Sequence, residues 1–364
     1  MREILALLLA TPLLLMMACG DYQESDAAFV ANAEDQVSDS ANIQMACDSL
    51  QTVKFIPHYI KNANDLARIK QEYNFANKQS LENKTLITLN RKEFRFFRVG
   101  DTIVLPEVKG KEVREYSIFP ACYPQAVNIP KLIVLSNKYQ CYGCYENGKL
   151  VRYAATNTGK ERTQTYPGRY YINWKRKDHR SSLDSTWRMP YNINFHLQAG
   201  NAFHQFTMPG RPASHSCARQ FMDDAEWLFS WVNMPKYDSS RTITQPGTLV
   251  LVLDVFDFNR KKFGPWLDLA DNKSADITLP ADPQNFEEPF IPIVQIPKGA
   301  RGALTNRDRY VYAEDSLRAR GWLREGVSLR ESVNYNVIRK KRREAEAKKK
   351  AAEAAKANNN TQHQ

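Results

Sequence analysis

The segment from His204 to Arg219 holds the side chains that could carry covalent chemistry. It places the thiol of Cys217 thirteen residues after His204 and two residues after His215. A cysteine attacks as its thiolate, which a nearby imidazole, backbone N–H groups or a helix N-terminus favours. Residues two apart in an extended chain point to the same side, so His215 and Cys217 would share a face. The segment predicts a cysteine nucleophile; the alternative is a small buried thiol beside a structural histidine.

A helix is predicted directly after the thiol. Asp223 as N-cap and Glu226 three residues later form a capping-box pattern. The apolar positions Trp227, Leu228, Trp231 and Val232 follow at helical spacing. This helix would position the preceding loop.

Three ordered motifs surround the thiol: MPYNINF (Met189–Phe195), GNAFHQF (Gly200–Phe206) and MPGRPASHSCAR (Met208–Arg219). In order, spacing and flanks they resemble the catalytic segment of L,D-transpeptidases with a YkuD-type domain. Upstream, Thr156–Gly159 and Thr165–Ile172 also resemble family motifs. The resemblance extends over about residues 131–258 and implies a mainly β (α+β) chain with a β-sandwich catalytic domain.

The resemblance also implies roles for individual residues. Cys217 would be the nucleophile and His204 the general base. His215 and Ser216 would contribute, with Cys217, to an oxyanion hole. Tyr191, Ser214 and Arg219 would contact the substrate, and Arg219 is alternatively a brace for the loop.

Two positions depart from the family pattern. Ser216 stands where glycine is usual, which matters only if the backbone there needs a positive φ. Gln205 follows the base where a small residue is common. His196 is a competing base eight residues before His204, whereas His179 lies among charged residues and is predicted to sit in an exposed loop.

The implied reaction is acyl transfer from a peptidoglycan stem tetrapeptide, through a thioester, to an acceptor amine. Neither a metal nor an organic cofactor is expected. Two alternatives within the same chemistry are an L,D-carboxypeptidase and attachment of a protein amine to the wall. A third alternative is a non-catalytic lipoprotein that tethers a membrane to peptidoglycan.

The N-terminal residues predict export. Arg2, an apolar run over residues 4–17 and Ala18-Cys19 read as a lipoprotein signal peptide, with Cys19 as the lipid attachment site; an ordinary secretory signal is the alternative. We therefore expect a lipid-anchored, periplasmic protein, at the outer rather than the inner membrane. The remaining cysteines Cys47, Cys122, Cys141 and Cys144 would suffice for two disulfides whose pairing the sequence does not define.

The chain divides into seven predicted segments. They are a signal peptide (1–18), a flexible tether (19–50), a LysM-like module (51–108), a connector (109–130), the catalytic domain (131–258), a C-terminal extension (259–336) and a basic tail rich in Ala, Glu and Lys (337–364). The end of the small module, RVGDTIVLPE (Arg98–Glu107), resembles LysM, a βααβ fold that binds glycan strands. Its beginning fits that family poorly.

The net charge of +11 is concentrated at the C-terminus. Nine basic residues and three glutamates lie between Arg339 and Lys356. In an exported protein such a tail favours anionic envelope polymers or lipid head groups over nucleic acid. The partners predicted are therefore peptidoglycan and a membrane.

Overall fold

The computed structural model describes residues 50–110, 112–260 and 264–361, with side chains up to residue 353. The predicted signal peptide, the lipid site Cys19, Cys47 and nearly all of the tether lie outside the described residues. Within the described residues, no helix is both long enough and apolar enough to cross a bilayer.

The small N-terminal unit has the element order β-α-α-β. Its elements are β1 (Phe55–Tyr59), α1 (Ala63–Glu72), α2 (Leu81–Asn90) and β2 (Thr102–Pro106). β1 pairs antiparallel with β2, so the opening strand that the sequence seemed to lack is present. The Asn62 side chain caps α1 by accepting a hydrogen bond from the N–H of Asp65.

Eleven strands follow, with one helix among them. They are β3 (Leu132–Ser136), β4 (Cys141–Glu146), β5 (Lys149–Ala155), β6 (Gly168–Tyr171), β7 (Trp174–Arg176), β8 (Asn192–His196), β9 (Asn201–Gln205), β10 (Ala218–Gln220), α3 (Met222–Trp231), β11 (Lys236–Tyr237), β12 (Ile243–Gln245) and β13 (Leu249–Val252). One sheet has the order β5-β4-β3-β13-β6 and the other β10-β9-β8-β7. β11 and β12 form a separate two-stranded sheet.

The turn between β4 and β5 contains an Asn-Gly pair, a dipeptide that is itself a strong sequence signal for a hairpin. Asn147 and Gly148 have φ values of 46° and 75°. Two successive positive φ values are what a type I′ turn requires. This turn fixes the edge of the larger sheet.

The two sheets pack face to face around one apolar layer. From the larger sheet the layer takes Ile133, Leu135, Val250 and Val252, and from the smaller sheet Ile193, Phe195, Phe203 and Ala218. Because strand side chains alternate, the residues adjacent in sequence to these point away from the layer. The opposite face of the smaller sheet therefore remains for other side chains, including those of the predicted site.

The outer face of the larger sheet carries a second core. Leu132, Val134, Leu249 and Leu251 pack there with Leu89 and Val104 of the N-terminal unit and Trp266 of the C-terminal extension. Arg91, only 2% exposed, enters this junction and donates to the main-chain oxygen of Tyr139 and to the hydroxyl of Tyr153. The N-terminal unit and the sandwich therefore share a core.

The N-cap of helix α3 lies two residues earlier than predicted, so the predicted capping box is wrong. Phe221 occupies the N-cap and makes no side-chain cap hydrogen bond. Asp223 instead pairs with Lys84 of α2, and Glu226 accepts a hydrogen bond from Tyr191. Residues of other elements bind the two side chains that the local sequence pattern assigned to the helix cap.

The C-terminal extension continues from the sandwich with little regular structure. It holds α4 (Arg307–Val311) and α5 (Ala313–Ala319), and the chain ends in α6 (Tyr335–Thr361). The predicted basic tail is thus helical, with i,i+4 ion pairs such as Arg342–Glu346.

The cysteines do not form the two disulfides that their number allowed. Cys141 and Cys144 are free, fully buried thiols on β4. Cys122 is disulfide-bonded, and its partner lies outside the described residues. Burial in a strand, rather than metal or redox chemistry, explains the CxxC spacing.

Candidate active site

The pairing of β9 with β10 sets the geometry of the site. The strands are parallel, with Phe203 opposite Ala218 and His204 opposite Arg219. Phe203 and Ala218 point into the core between the sheets. By alternation His204 and Arg219 lie on the other face, and Cys217, immediately before the strand, lies on that face too. The base predicted from sequence thus lies on β9, and the predicted nucleophile lies on the same face, directly before β10.

His204 is held by the main chain. Its side chain is buried, and its Nδ1 lies 3.0 Å from the main-chain oxygen of Gln205. A carbonyl oxygen can only accept, so the neutral ring carries its proton on Nδ1 and leaves Nε2 as the base. Burial lowers the pKa of His204 to about 4, with a smaller contribution from the charge of Arg219. The imidazole is therefore neutral at pH 7.

Cys217 is partly exposed, and its sulfur lies 3.8 Å from the main-chain oxygen of Gly200. Burial by its surroundings raises the pKa of the Cys217 thiol to about 11, against the opposing influence of the Ala202 N–H and of Arg219. The resting thiol is thus neutral at pH 7. A neutral thiol beside a neutral imidazole requires proton transfer during the attack.

The turn before Cys217 supplies N–H groups. Ser216 has a φ of 86°, so the residue that replaces the usual glycine does sit in the left-handed region. Its hydroxyl donates to Oδ1 of Asn201 at 2.8 Å. The N–H groups of His215 and Ser216 have no partner among the described residues. A left-handed residue in such a turn can gather successive N–H groups into an anion-binding nest.

Ser214 and Arg219 have structural contacts. Ser214 is buried, and its hydroxyl donates to the main-chain oxygen of Cys217 at 2.5 Å. Its carbonyl accepts from Lys160 N–H and from the Thr163 hydroxyl, so its polar groups brace the loop. Arg219 donates to the main-chain oxygen of Thr207 and so performs the bracing role that the sequence offered as an alternative.

Tyr191 lies beside α3. It has a φ of 52°, and its hydroxyl donates to Glu226 at 2.9 Å. The preceding residue, Pro190, accepts a hydrogen bond from the N–H of Gln205. Tyr191 is therefore close to the end of β9, and its contact with substrate remains a prediction.

His215 meets residues that the local sequence did not indicate. Its ring packs against Trp187 with 4.9 Å between centroids, and its Nε2 lies 3.4 Å from Nη1 of Arg330. Burial, followed by the charges of Lys160, Arg330 and Arg219, lowers the pKa of His215 to about 4. Arg330 belongs to the C-terminal extension, 115 residues away along the chain. No short-range pattern could have joined these two residues.

The competing histidines have other contacts. His196 accepts from the N–H of Ala199 and packs against Tyr170 and Tyr310, which favours a structural role. His179 is not in a fully exposed loop as expected. Its ring packs on Trp174, and its charge contributes to lowering the pKa of His204.

Among the described residues, no group of three His, Cys, Asp or Glu side chains is arranged to hold a metal ion. A cavity of about 770 Å³ lies between α2 of the N-terminal unit and the start of α3. Gln205 lines this cavity, whereas neither His204 nor Cys217 does.

A comparison with protein families identifies the type of domain. The family model of the YkuD L,D-transpeptidase catalytic domain matches residues 130–252, close to the expected 131–258. No curated protein matches the chain.

Solved structures with similar folds include three L,D-transpeptidases. That of Stackebrandtia nassauensis is 22% identical, with 40% of this chain and 64% of that chain covered and a TM-score of 0.31. That of Mycobacterium smegmatis is 14% identical, with 34% and 59% covered and a TM-score of 0.29. That of Xylanimonas cellulosilytica is 20% identical, with 55% and 97% covered and a TM-score of 0.33. The chain thus spans less than two thirds of the length of the first two of these proteins. The type of domain is therefore assigned from the family model alone. Residues 130–252 carry a catalytic domain of the YkuD L,D-transpeptidase type.

Proposed function

We propose that the chain is an L,D-transpeptidase that forms an acyl-enzyme on Cys217 and transfers the acyl group to an amine, cross-linking peptidoglycan. The observation that carries the proposal is the placement of His204 and Cys217 on one face of paired strands, beside the unpartnered N–H groups of His215 and Ser216. These are the parts that acyl transfer needs: nucleophile, base and oxyanion donors.

The first half-reaction forms the thioester. Nε2 of His204 takes the Cys217 proton as the sulfur attacks the carbonyl carbon of the third residue of a stem tetrapeptide. The carbonyl oxygen becomes an oxyanion held by N–H groups of the 215–217 turn, where one donor is worth roughly 3 to 4 kcal/mol. The tetrahedral intermediate collapses, the bond to the terminal D-Ala breaks, and His204 returns its proton to the leaving amine.

The second half-reaction runs the same steps in reverse with a new amine. An acceptor amine loses its proton to His204 as it attacks the thioester carbon. Collapse of this intermediate breaks the carbon–sulfur bond, His204 returns the proton to the departing sulfur, and the new amide joins two stems. Because each half-reaction ends with neutral imidazole and neutral thiol or thioester, the resting protonation states suit the cycle.

The test is to incubate the full chain with disaccharide tetrapeptide and measure the intact mass. We expect an acyl adduct on Cys217 and released D-Ala in wild type, and neither product with Cys217→Ala. Cys141→Ala, which removes a buried free thiol, should keep both. Wild-type protein that binds sacculi with an unmodified thiol would instead support the non-catalytic tether.

Product analysis separates the enzymatic alternatives. Dimeric stems with a bond between two third residues indicate transpeptidation. Tripeptide alone indicates a carboxypeptidase, in which water takes the acyl group. A peptide joined to a protein lysine indicates protein attachment.

The remaining segments suggest where the enzyme works. We propose that the N-terminal β-α-α-β unit binds glycan strands, supported by its element order and by the resemblance of residues 98–107 to LysM. We also propose a lipid anchor on Cys19 in the periplasm. Metabolic labelling with a fatty-acid analogue, lost in Cys19→Ala, tests the anchor. Binding of residues 50–361 to purified glycan strands tests the unit.

A further inference from the structure

Five cationic side chains gather around the loop that carries the nucleophile. Main-chain contacts bring their segments together: the N–H of Lys160 donates to Ser214, and the N–H of Arg330 donates to Arg162 at 2.9 Å. Arg219 follows Cys217 by two residues, and Nη1 of Arg330 lies 3.4 Å from His215. The full set, which we call the cation cluster, comprises Lys160, Arg162, Arg211, Arg219 and Arg330.

None of the five is ion-paired to a carboxylate within the part of the chain that the structure describes. Cations just outside the cluster do have acidic partners: Arg324 binds Glu161, and Arg339 binds Asp184. Glu161 lies between Lys160 and Arg162 in sequence and yet pairs with a residue outside the cluster. The carboxylates nearby are therefore already engaged, and the cluster is left positive.

The uncompensated positive charge affects the pKa of a member of the cluster. Burial, followed by the charges of Arg330 and Arg219, lowers the pKa of Lys160. Like charges at close range oppose folding unless an anion joins them, because their repulsion grows as water is excluded. An open positive site next to a nucleophile raises the local concentration of anionic substrates.

Arg330 is also held in position. Its Nη2 donates to the hydroxyl of Tyr335, and Tyr335 packs on Trp187, which covers His215. Nearby, the N–H of Ser332 donates to Val294 at 2.8 Å. A guanidinium fixed in this way loses little further freedom on binding a carboxylate, which favours two parallel hydrogen bonds.

We propose that Arg330 of the C-terminal extension, together with Lys160, forms an anion site against the loop that precedes Cys217, and that this site binds a carboxylate of the acyl-donor peptide. The proposal rests on the proposed function, since it names the recognition of that donor. It makes the C-terminal extension, which lies beyond the residues that match the family model, a determinant of donor specificity. Arg330 is a binding residue in this account and takes no part in proton transfer.

The first experiment does not depend on transpeptidase activity. Cys217 of the full chain is alkylated with iodoacetate, an anion, and with neutral iodoacetamide, and the rates are measured by peptide mass mapping. We expect the ratio of the iodoacetate rate to the iodoacetamide rate to fall about 3- to 10-fold in Arg330→Gln and in Lys160→Gln. Arg320→Gln, which removes an exposed arginine paired with Glu287 in the same extension, should leave the ratio unchanged.

An unchanged ratio in both Arg330→Gln and Lys160→Gln would overturn the proposal, whatever the enzyme assay shows. Lys160→Gln keeps the test decisive if Arg330→Gln fails to fold, because no hydrogen bond of the Lys160 ammonium group holds the structure together among the described residues. Arg330→Lys should restore part of the ratio, because it keeps the charge.

The second experiment identifies the carboxylate. Acylation of Cys217 is followed with three donors. The first is the free tetrapeptide, and the second is amidated at the carboxylate of the terminal D-Ala. The third is amidated at the side-chain carboxylate of the third residue, a diamino acid whose other carboxyl group forms the bond to D-Ala. Arg330→Gln should raise KM for the free donor about tenfold with kcat little changed. For the donor that lacks the recognised carboxylate, wild type and Arg330→Gln should have equal KM. A KM that depends on Arg330 equally for all three donors would contradict carboxylate recognition.

Discussion

Nδ1 of His204 lies 3.0 Å from the main-chain oxygen of Gln205, so the ring of the proposed general base is oriented by a group that every residue possesses. This explains why Gln205 can stand where a small residue is common. The contact fixes the tautomer and leaves Nε2 free to accept the thiol proton.

The first prediction follows from this contact. Gln205→Ala should acylate Cys217 within about threefold of the wild-type rate, because the orienting oxygen remains. His204→Gln should lower that rate by roughly 10²- to 10⁴-fold, the usual contribution of a general base. Single-turnover acylation by stem tetrapeptide measures both. Equal losses in the two variants would show that the Gln205 side chain, not its carbonyl, orients the ring.

The second prediction concerns the pH dependence of acylation. The pKa values of about 4 for His204 and about 11 for Cys217 leave both groups neutral over most of the range between. We therefore expect the rate of Cys217 acylation to be nearly constant from about pH 5 to 10, and to fall as His204 is protonated toward pH 4. A preformed thiolate–imidazolium pair would instead give a bell-shaped profile with an acid limb set by the thiol.

The third prediction links the same histidine to stability. A pKa of about 4 in the folded state, against an ordinary value near 6.5, means that the unfolded chain binds more protons between these pH values. The stability from burying neutral His204 is thus complete above pH 6.5 and is lost as the pH falls toward 4. In this window the free energy of unfolding of His204→Gln should depend less steeply on pH than that of wild type, by up to about 1.4 kcal/mol per pH unit. Urea denaturation at pH 4.5, 5.5 and 7 measures the difference, and parallel curves would contradict it.

The fourth prediction tests the left-handed backbone of Ser216. At a φ of 86° a side chain costs about 1 to 2 kcal/mol, which glycine avoids. Ser216→Ala keeps this cost and also removes the donor to buried Asn201. Although alanine normally stabilises relative to glycine, we expect Ser216→Gly to be more stable than Ser216→Ala by about 1 kcal/mol in urea denaturation. The reverse order would show that the turn relaxes to a negative φ.

The fifth prediction concerns the junction between the N-terminal unit and the sandwich. Arg91→Met removes a buried guanidinium whose donors satisfy Tyr139, Tyr153 and the end of α2, and should cost about 2 to 4 kcal/mol. Arg68→Met, on the exposed face of α1 of the same unit, should cost less than about 1 kcal/mol although it removes two ion pairs. Because the junction shares one core, wild type should unfold in a single transition. Two separate transitions would show that the unit folds independently of the sandwich.

The sequence alone indicated the chemistry that we propose for this protein. The types and spacing of His204 and Cys217, with the motifs around them, indicated acyl transfer. The Asn147-Gly148 hairpin followed from backbone geometry, because few residues adopt two successive positive φ values.

Only the tertiary structure decided what surrounds that chemistry. The hydroxyl of Ser214 braces the loop, and burial keeps the Cys217 thiol neutral. His179 lies near enough to His204 for its charge to contribute to lowering the pKa of that ring. Arg330 contacts His215 although the two residues are 115 positions apart. Local pattern assigned Asp223 and Glu226 to a helix cap, but each found a partner from another element. Burial and long-range contacts depend on how whole elements pack, and the order of residues along one element contains no record of which other element will lie against it.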